Sequence, residues 1–382
     1  MDLSLTPEQK LTQQTAARLA DEVLTPRAAD LDSNCGFPDE ALAKLAETGL
    51  MGLLVPPALG GGGGDTLSFV LVTEELARAC ASTALVYVTH IGANLILLVG
   101  GTADQKAKYL MPMAKGEKLG ALAVTEADSG ANPIAVVAYA EPRDGHYLLN
   151  GSKIFITNAG EAAVNIVMAR TSKAPGPQGL SLLLVDRDAP GVSFGKRDVR
   201  MGFNGVSCRE VGFLDVKVPR EDLLGQEGMG LMLAMAAGGV TTLGAAAISV
   251  GLAQAALSAS TKHAKERTIL CQPTATNQAV QFLIADMAVS VDAARALLYS
   301  AVYLKDTSPP GLAVASFKAK LFASEMAIDV TDKALQVHGG HGYMRELPIE
   351  RYYRDARGLT LHFSPTELLK ELLGKIALGR FP

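Results

Sequence analysis

The chain has 382 residues, of which 48% are hydrophobic, 19% charged and 5% aromatic, so it exceeds the size of a single hydrophobic core and is too apolar to be disordered. With 35 Lys and Arg against 39 Asp and Glu, the formal net charge is -4, and no basic block occurs, which argues against electrostatic binding of nucleic acid. The 4 cysteines form no CxxC pair, and the 6 histidines show no metal-ligand spacing. We therefore expect two or three packed units in a reducing compartment, with no metal site.

The N-terminus, MDLSLTPEQK, has no basic segment followed by an apolar core, which predicts a cytoplasmic protein. Two later stretches are long enough to cross a membrane. Residues 231–257 contain no charged residue, and residues 81–103 contain only His90 as an ionisable group. Glycines and polar residues interrupt both stretches, which is typical of helices buried inside a bundle. We therefore predict no membrane span.

The periodicity of apolar residues divides the chain into three domains. Residues 1–120 show helical spacing, and Thr6 followed by Pro7 is a typical helix start. Residues 121–228 contain short alternating or β-branched runs between turn signals, which predict a small antiparallel β-barrel. In residues 229–382 the helical spacing returns over 231–266, 276–303, 312–339 and 364–379, which predicts an antiparallel four-helix bundle. The predicted fold class is therefore α+β and multidomain, with an N-terminal helical domain, a middle antiparallel β-barrel domain and a C-terminal bundle.

Three motifs contain residues that could bind a ligand, and each also has an ordinary structural explanation. Thr125 begins a run of small polar residues after a predicted strand, where backbone N–H groups could meet a phosphate or a ring edge. The segment KIFITN at 153–158 places an aromatic ring and a threonine hydroxyl at the end of a strand. The segment QVHGGHGY at 336–343 closes a helix with a glycine pair, and RYYRDAR follows at 351–357. The segments at 336–343 and 351–357 are consistent with a helix cap followed by a solvated basic face. They are equally consistent with a site for a nucleotide cofactor, because arginine binds phosphate in two-point fashion.

Together these segments resemble the acyl-CoA dehydrogenase family over nearly the whole chain. The resemblance rests on ITN at 156–158, AKER at 264–267, and HGGHGY and RDAR with their spacing intact. It implies FAD bound between the middle domain and the bundle, in an assembly that is usually a homotetramer. It also implies a thioester of coenzyme A or of an acyl carrier protein as substrate, and an electron-transfer flavoprotein as electron acceptor.

The resemblance also implies which residues bind FAD. The loop after the first strand and the end of the KIFITN strand would meet the flavin. The ends of the bundle helices would hold the adenosine diphosphate half across a subunit interface, and the segment after Phe363 would complete the site. The implied residues are Thr125, Ala131, Phe155, Ile156, Thr157, Arg267, Gln278, Gln336, Val337, Gly339, Gly340, Pro365, Thr366 and Glu367.

The family's reaction removes a proton from the α-carbon of the thioester and passes a hydride from its β-carbon to N5 of the flavin. A carboxylate normally takes the proton. In this sequence Phe363 stands at the position of that carboxylate, and a phenyl ring cannot accept a proton. Some members carry the base on the first bundle helix, but here the matching stretch offers Gly239 and Thr242. The resemblance thus implies Gly239, Thr242, Phe363 and Ser364 as substrate-binding residues and leaves the catalytic base unknown.

Three interpretations remain open. The base has moved, with His90 and His362 as candidates because a histidine can take up a proton near neutral pH. Alternatively, the reaction avoids the usual α-proton abstraction, as in a thioester lyase or an acyl carrier protein-thioester desaturase, with the Phe363 N–H polarising the carbonyl. In the third interpretation the protein is a catalytically silent FAD-binding protein. The loss of polar groups around the acyl chain predicts an apolar or bulky acyl group.

Overall fold

A computed structural model of the protein describes residues 4–307 and 312–380. The first helix begins as predicted: the Thr6 hydroxyl accepts a hydrogen bond from the Gln9 N–H, and the Gln9 side chain accepts one from the Thr6 N–H. The N-terminal helices are α1 (Pro7–Leu19), α2 (Ala28–Ser33), α3 (Asp39–Glu47), α4 (Thr66–Ala79), α5 (Ala81–Gly100), α6 (Ala103–Gln105) and α7 (Met111–Ala114).

The middle domain is one eight-stranded sheet. Its strands are β1 (Gly120–Ala123), β2 (Tyr139–Arg143), β3 (His146–Thr157), β4 (Val164–Arg170), β5 (Leu180–Asp186), β6 (Val192–Phe194), β7 (Cys208–Pro219) and β8 (Leu223–Leu224). Their order is β6-β7-β3-β2-β4-β5-β8, with β1 beside β4. The middle domain was predicted to be antiparallel, but β1 and β2 run parallel to β4. Parallel pairing needs a long connection, and the β2–β3 hairpin lies between β1 and β4 in the chain.

The C-terminal domain is built on long helices. They are α8 (Gly230–Glu266), α9 (Gln278–Thr307), α10 (Leu312–His338), α11 (Ile349–Leu359) and α12 (Thr366–Ala377), with a hairpin of β9 (Thr268–Ile269) and β10 (Gln272–Pro273) after α8. The four predicted helices are present. Helix α11 was not predicted from the sequence, although Ile349, Ala356 and Leu359 recur at helical spacing and form its buried face.

Two helices, α5 and α8, are long and apolar enough to cross a bilayer. The protein itself buries 78% of the apolar window of α5 and 61% of that of α8. Both helices pack against β-strands as well as against other helices. Their apolar composition therefore follows from their place in the core between the domains.

Polar contacts join all three domains beside α11. Asp355 accepts a hydrogen bond of 2.5 Å from the Phe203 N–H, in the loop between β6 and β7. Arg354 forms ion pairs with Asp32 at 2.5 Å and with Glu350 at 2.6 Å. The RDAR arginine Arg354 is therefore neither on a solvated basic face nor free for a phosphate, the two alternatives that its sequence left open. It ties α11 to the N-terminal domain just before the segment that contains Phe363.

Candidate functional site

The two predicted flavin-binding segments of the middle domain lie side by side. The Ile154 N–H donates to the Thr125 carbonyl at 2.9 Å, and the Lys153 ammonium donates to the Val124 carbonyl at 3.0 Å. Strand β3 therefore fixes the start of the loop that follows β1. The start of the 125–132 loop and the end of β3, which are far apart in the sequence, therefore lie next to each other.

A buried ion pair anchors this loop. Lys153 is fully buried, and its ammonium lies 2.7 Å from Oε1 of Glu126. The Glu126 carboxylate also accepts hydrogen bonds from the N–H groups of Val137, at 2.7 Å, and Ala138, at 3.0 Å. Burial lowers the pKa of Lys153, and the nearby Glu126 opposes that shift. This pair was not predicted from the sequence, although a lysine directly before the apolar residues 154–156 of a strand indicated that its charge needed a partner.

Phe155 presents an uncovered aromatic ring at the end of β3. It is 67% exposed, whereas Ile156 is buried and Thr157 is half-buried. Its φ of 57° lies in the left-handed region, which bulky side chains rarely adopt. A protein that holds a large apolar ring outward in a strained conformation has a surface suited to stacking against a planar ligand.

The loop after β1 offers unused hydrogen-bond donors. Asp128, Gly130 and Ala131 are exposed, and their backbone N–H groups have no acceptor among the described residues. The Ser129 hydroxyl instead bonds back to Glu126, which keeps the loop compact. Free N–H groups beside an uncovered aromatic ring fit the flavin and phosphate groups of FAD.

The residues predicted to hold the adenosine diphosphate half lie at one end of the bundle. The rings of His263 and His338 stack with their centroids 4.3 Å apart, which joins the C-terminal ends of α8 and α10. The Thr274 N–H donates to the Arg267 carbonyl at 2.8 Å and closes the hairpin at the same end. The exposed residues there are Arg267, Gln278, Gln336, Gly339 and Gly340, with Val337 half-buried. Their exposure in a single subunit fits a group bound at an interface.

Phe363 occupies a tight turn between α11 and α12. Its φ is 62°, and the Ser364 N–H donates to the His362 carbonyl at 2.8 Å, which closes a three-residue turn of a rare and strained kind. The Phe363 side chain is half-buried and packs against the core, while its own N–H has no acceptor among the described residues. The predicted residues that follow are Ser364 and Pro365, which are half-buried, Thr366, which is buried, and Glu367, which is exposed.

Both ring nitrogens of His90 are engaged in the core. The Gly120 N–H donates to Nδ1 at 3.3 Å, so the proton lies on Nε2, which donates to the Met113 carbonyl at 3.1 Å. Burial lowers the pKa of His90 to about 4, against hydrogen bonds that raise it. These contacts leave His90 no lone pair for a substrate proton, so its geometry is that of a structural core histidine.

His362 keeps one ring nitrogen available. Its Nδ1 lies 2.7 Å from the Gly358 carbonyl and therefore carries the proton. The lone pair of the neutral ring is then on Nε2, which takes no part in that hydrogen bond. The ring packs against Phe203, with the centroids 5.2 Å apart. Burial lowers the pKa of His362 to about 4, and the positive charges of Arg200 and Lys320 add to this effect. Of the two predicted histidines, His362 thus has the more suitable geometry.

An apolar cavity of about 140 Å³ lies between α5, α8 and the sheet. Thr241 supplies its one polar side chain, and that hydroxyl bonds back to the Gly238 carbonyl at 3.1 Å. The cavity reaches Val124, the residue before Thr125. The lining residues are Ile96, Leu122, Val124, Ile166, Leu182, Ala234, Ala237, Gly238 and Thr241.

The predicted substrate-binding residues of α8, Gly239 and Thr242, do not line this cavity, and each follows a lining residue directly in the chain. The lining residues at 234, 237, 238 and 241 follow one helix face. A larger and more open groove of about 520 Å³ between α8 and α9 contains none of the predicted site residues.

Comparison with known proteins decides the family. Three family models match in succession: the N-terminal domain of acyl-CoA dehydrogenase at residues 6–117, the middle domain at 121–216 and the C-terminal domain at 228–378. Acryloyl-CoA reductase (NADH) of Anaerotignum propionicum is 38% identical over 382 residues, which is 100% of this chain and 97% of that protein. The chain belongs to the acyl-CoA dehydrogenase family. This confirms the resemblance and the three-domain fold inferred from the sequence.

Other members of the acyl-CoA dehydrogenase family are equally similar along the whole chain. The caffeyl-CoA reductase-Etf complex subunit CarC of Acetobacterium woodii is 37% identical over 376 residues, or 98% of this chain and 99% of that protein. The structure of butyryl-CoA dehydrogenase from Megasphaera elsdenii superposes with a TM-score of 0.96 at 34% identity, covering 99% of this chain and 100% of that one. The protein is therefore an acyl-CoA dehydrogenase-type flavoenzyme that uses FAD and acts on CH–CH groups of acyl-CoA.

Proposed function

We propose that this flavoenzyme dehydrogenates an apolar acyl thioester with a catalytic base that is relocated or absent. The observation that carries the proposal is the environment of Phe363: its side chain has no proton-accepting group, and its N–H, in a strained turn, has no acceptor in the described part of the chain. A free backbone donor at this position would polarise a thioester carbonyl and acidify the α-proton. FAD supplies the acceptor for the hydride of the β-carbon when it is bound.

The relocated-base form of the proposal rests on His362. His362 is the first residue of the Phe363 turn, and its Nε2 lone pair takes no part in the bond to Gly358. The ring nitrogens of His90, by contrast, are both held by Gly120 and Met113. A pKa of about 4 gives the neutral ring roughly the basicity of an ordinary carboxylate, whose pKa is about 4.3 for glutamate. His362 would thus be neutral, and able to accept a proton, at physiological pH.

The cavity supports an acyl group with a compact apolar end. Its volume of about 140 Å³ is close to that of an engineered apolar cavity of about 150 Å³ that binds benzene. None of the described residues that line it is charged, so a carboxylated acyl group would lose its hydration without gaining a partner. Two similar proteins are named for reduction of acryloyl-CoA and caffeyl-CoA, thioesters with short or aromatic acyl groups.

Replacing Gly238 by leucine should narrow the substrate range. A Cβ at this position meets no atom within 4 Å, so the new side chain fits the helix and fills the cavity. We expect kcat/KM for 3-phenylpropanoyl-CoA to fall about 10- to 200-fold relative to that for propionyl-CoA, the range for a group that no longer fits an apolar pocket. Gly374→Leu on α12, where a Cβ also meets no atom, is the matched control and should leave the ratio unchanged. An unchanged ratio in Gly238→Leu would show that the acyl group binds elsewhere.

We further propose a homotetramer in the cytoplasm that passes electrons to an electron-transfer flavoprotein. Exposed apolar side chains at the FAD-binding end of the bundle support subunit contacts there, because such patches are typical of interfaces. They include Leu270 at 94% exposure and Phe282 at 61%. The four cysteines are all free, which supports a reducing compartment. The similarity to a subunit of an Etf complex supports the electron acceptor.

The test of the proposed function is an anaerobic titration of the purified, yellow protein. We expect stoichiometric bleaching of the flavin band by 3-phenylpropanoyl-CoA or butyryl-CoA, and none by free coenzyme A, which has no acyl group to oxidise. A bound flavin that no thioester of the series reduces would contradict the proposal. Product formation without bleaching would then indicate a thioester lyase, and no product a silent FAD-binding protein.

A further inference from the structure

Lys320, on α10, is a fully buried lysine that the proposed chemistry does not yet use. Among the described residues it has no ion pair. Glu325, on the same helix, is paired with Lys370 at 2.5 Å, and Glu367 acts on Lys320 only through space. Burial lowers the pKa of Lys320 to about 8. An apolar residue of similar length at position 320 would avoid the free-energy cost of desolvating the amine. We therefore expect the Lys320 ammonium to make a hydrogen bond that an apolar side chain could not make.

That contact is with the turn at Phe363. The Lys320 ammonium donates a hydrogen bond to the carbonyl of Ser364, the residue directly after Phe363. On the other side, the Thr366 N–H donates to the Thr360 carbonyl at 3.0 Å and closes the loop. The strained φ of Phe363 is unfavourable and persists only where its surroundings hold it. Lys320 is the side chain that reaches into the loop from another element and binds its backbone.

We propose that Lys320 is a positioning residue: by binding the Ser364 carbonyl it holds the Phe363 turn so that the Phe363 N–H faces the thioester carbonyl of the substrate. This inference rests on the proposed function, because it concerns the same donor. It adds that the orientation of the donor depends on a side chain 43 positions earlier in the chain.

The test compares Lys320→Met with wild type by infrared spectroscopy of 3-phenylpropanoyl-CoA labelled with ¹³C at the carbonyl. The probe is bound to holoenzyme whose flavin has been reduced with dithionite, so that no turnover occurs. In wild type we expect a lowered carbonyl stretching frequency, and in Lys320→Met a return toward that of the free thioester. Flavin reduction by the same thioester should slow about 10²-fold in kcat, the effect of a displacement of about 1 Å, with little change in KM.

Two further variants separate positioning from stability. Lys318→Met removes an exposed lysine of the same helix and should keep the wild-type spectrum. Lys320→Arg keeps a charged donor and should recover the lowered frequency. If Lys320→Met does not retain FAD, Lys320→Gln takes its place, because its amide is one bond too short to reach Ser364 and should show the same loss.

The outcomes distinguish the two proposals. A wild-type frequency in a Lys320→Met or Lys320→Gln protein that retains FAD would overturn the role of Lys320 and leave the proposed function standing. An unshifted carbonyl in wild type would overturn both, because no donor would then act on the thioester.

Discussion

Phe363→Glu is expected to create or greatly increase the oxidation of simple acyl-CoA substrates. The substitution places a carboxylate where the family resemblance puts the catalytic base, on a turn whose N–H has no acceptor among the described residues. A positioned general base contributes about 10²- to 10⁴-fold, so we expect flavin reduction by butyryl-CoA to accelerate by that factor. Anaerobic stopped-flow absorbance at the flavin band measures the rate directly.

Phe363→Gln is the matched control for this change. It removes the same ring and introduces a side chain of the same length, but it cannot accept the proton. If Phe363→Glu reduces its flavin no faster than Phe363→Gln, the missing carboxylate is not what limits the wild-type enzyme. If Phe363→Glu instead loses activity toward the substrate that wild type accepts, the phenyl ring shapes a working site.

Lys153→Met is expected to destabilise the middle domain and release the flavin. The substitution leaves the Glu126 carboxylate buried without its counter-ion, with only two backbone N–H groups to solvate it. Removing one partner of a buried ion pair costs about 3–5 kcal/mol. We expect a loss of this size in the free energy of unfolding, measured by urea denaturation. The ratio of flavin to protein should fall as well, because Glu126 anchors the loop that follows Thr125.

Two other variants identify the cause of that loss. Lys375→Met removes a lysine whose ion pair with Glu371 is exposed, and it should cost less than about 1 kcal/mol. Adding Glu126→Gln to Lys153→Met removes the unpaired charge and should restore part of the stability. A Lys153→Met protein that retains stoichiometric FAD and unfolds within about 1 kcal/mol of wild type would show that the pair does not anchor the loop.

Local patterns predicted much of the fold. The Thr6 cap, the long apolar helices α5 and α8, and the change to strand periodicity after residue 120 are all present in the structure. Each depends on residues within a few positions of one another, because caps and amphipathic spacing are properties of a short segment. The exception is α11, which was not predicted although its buried apolar residues also recur at helical spacing.

Long-range contacts decided the roles of the charged residues. Arg354 pairs with Asp32, 322 positions earlier, and Lys153 pairs with Glu126, 27 positions earlier. From the sequence, phosphate binding was one possible role for Arg354, and Lys153 had no predicted role. A charge pattern does not show which opposite charge lies nearby in space. Likewise, the sequence did not show which face of α8 lines the cavity, since the rotation of a helix is set by what it packs against.

The sequence by itself determined the family, the use of FAD and the absence of a carboxylate at position 363. These are statements about residue identity and spacing, which the chain carries before it folds. The tertiary structure decided that both ring nitrogens of His90 are bonded, that the Phe363 N–H has no acceptor among the described residues and that Lys320 binds the Ser364 carbonyl. Those properties depend on burial and on partners far away in the chain, which arise only when α5, α10 and the segment after α11 pack together.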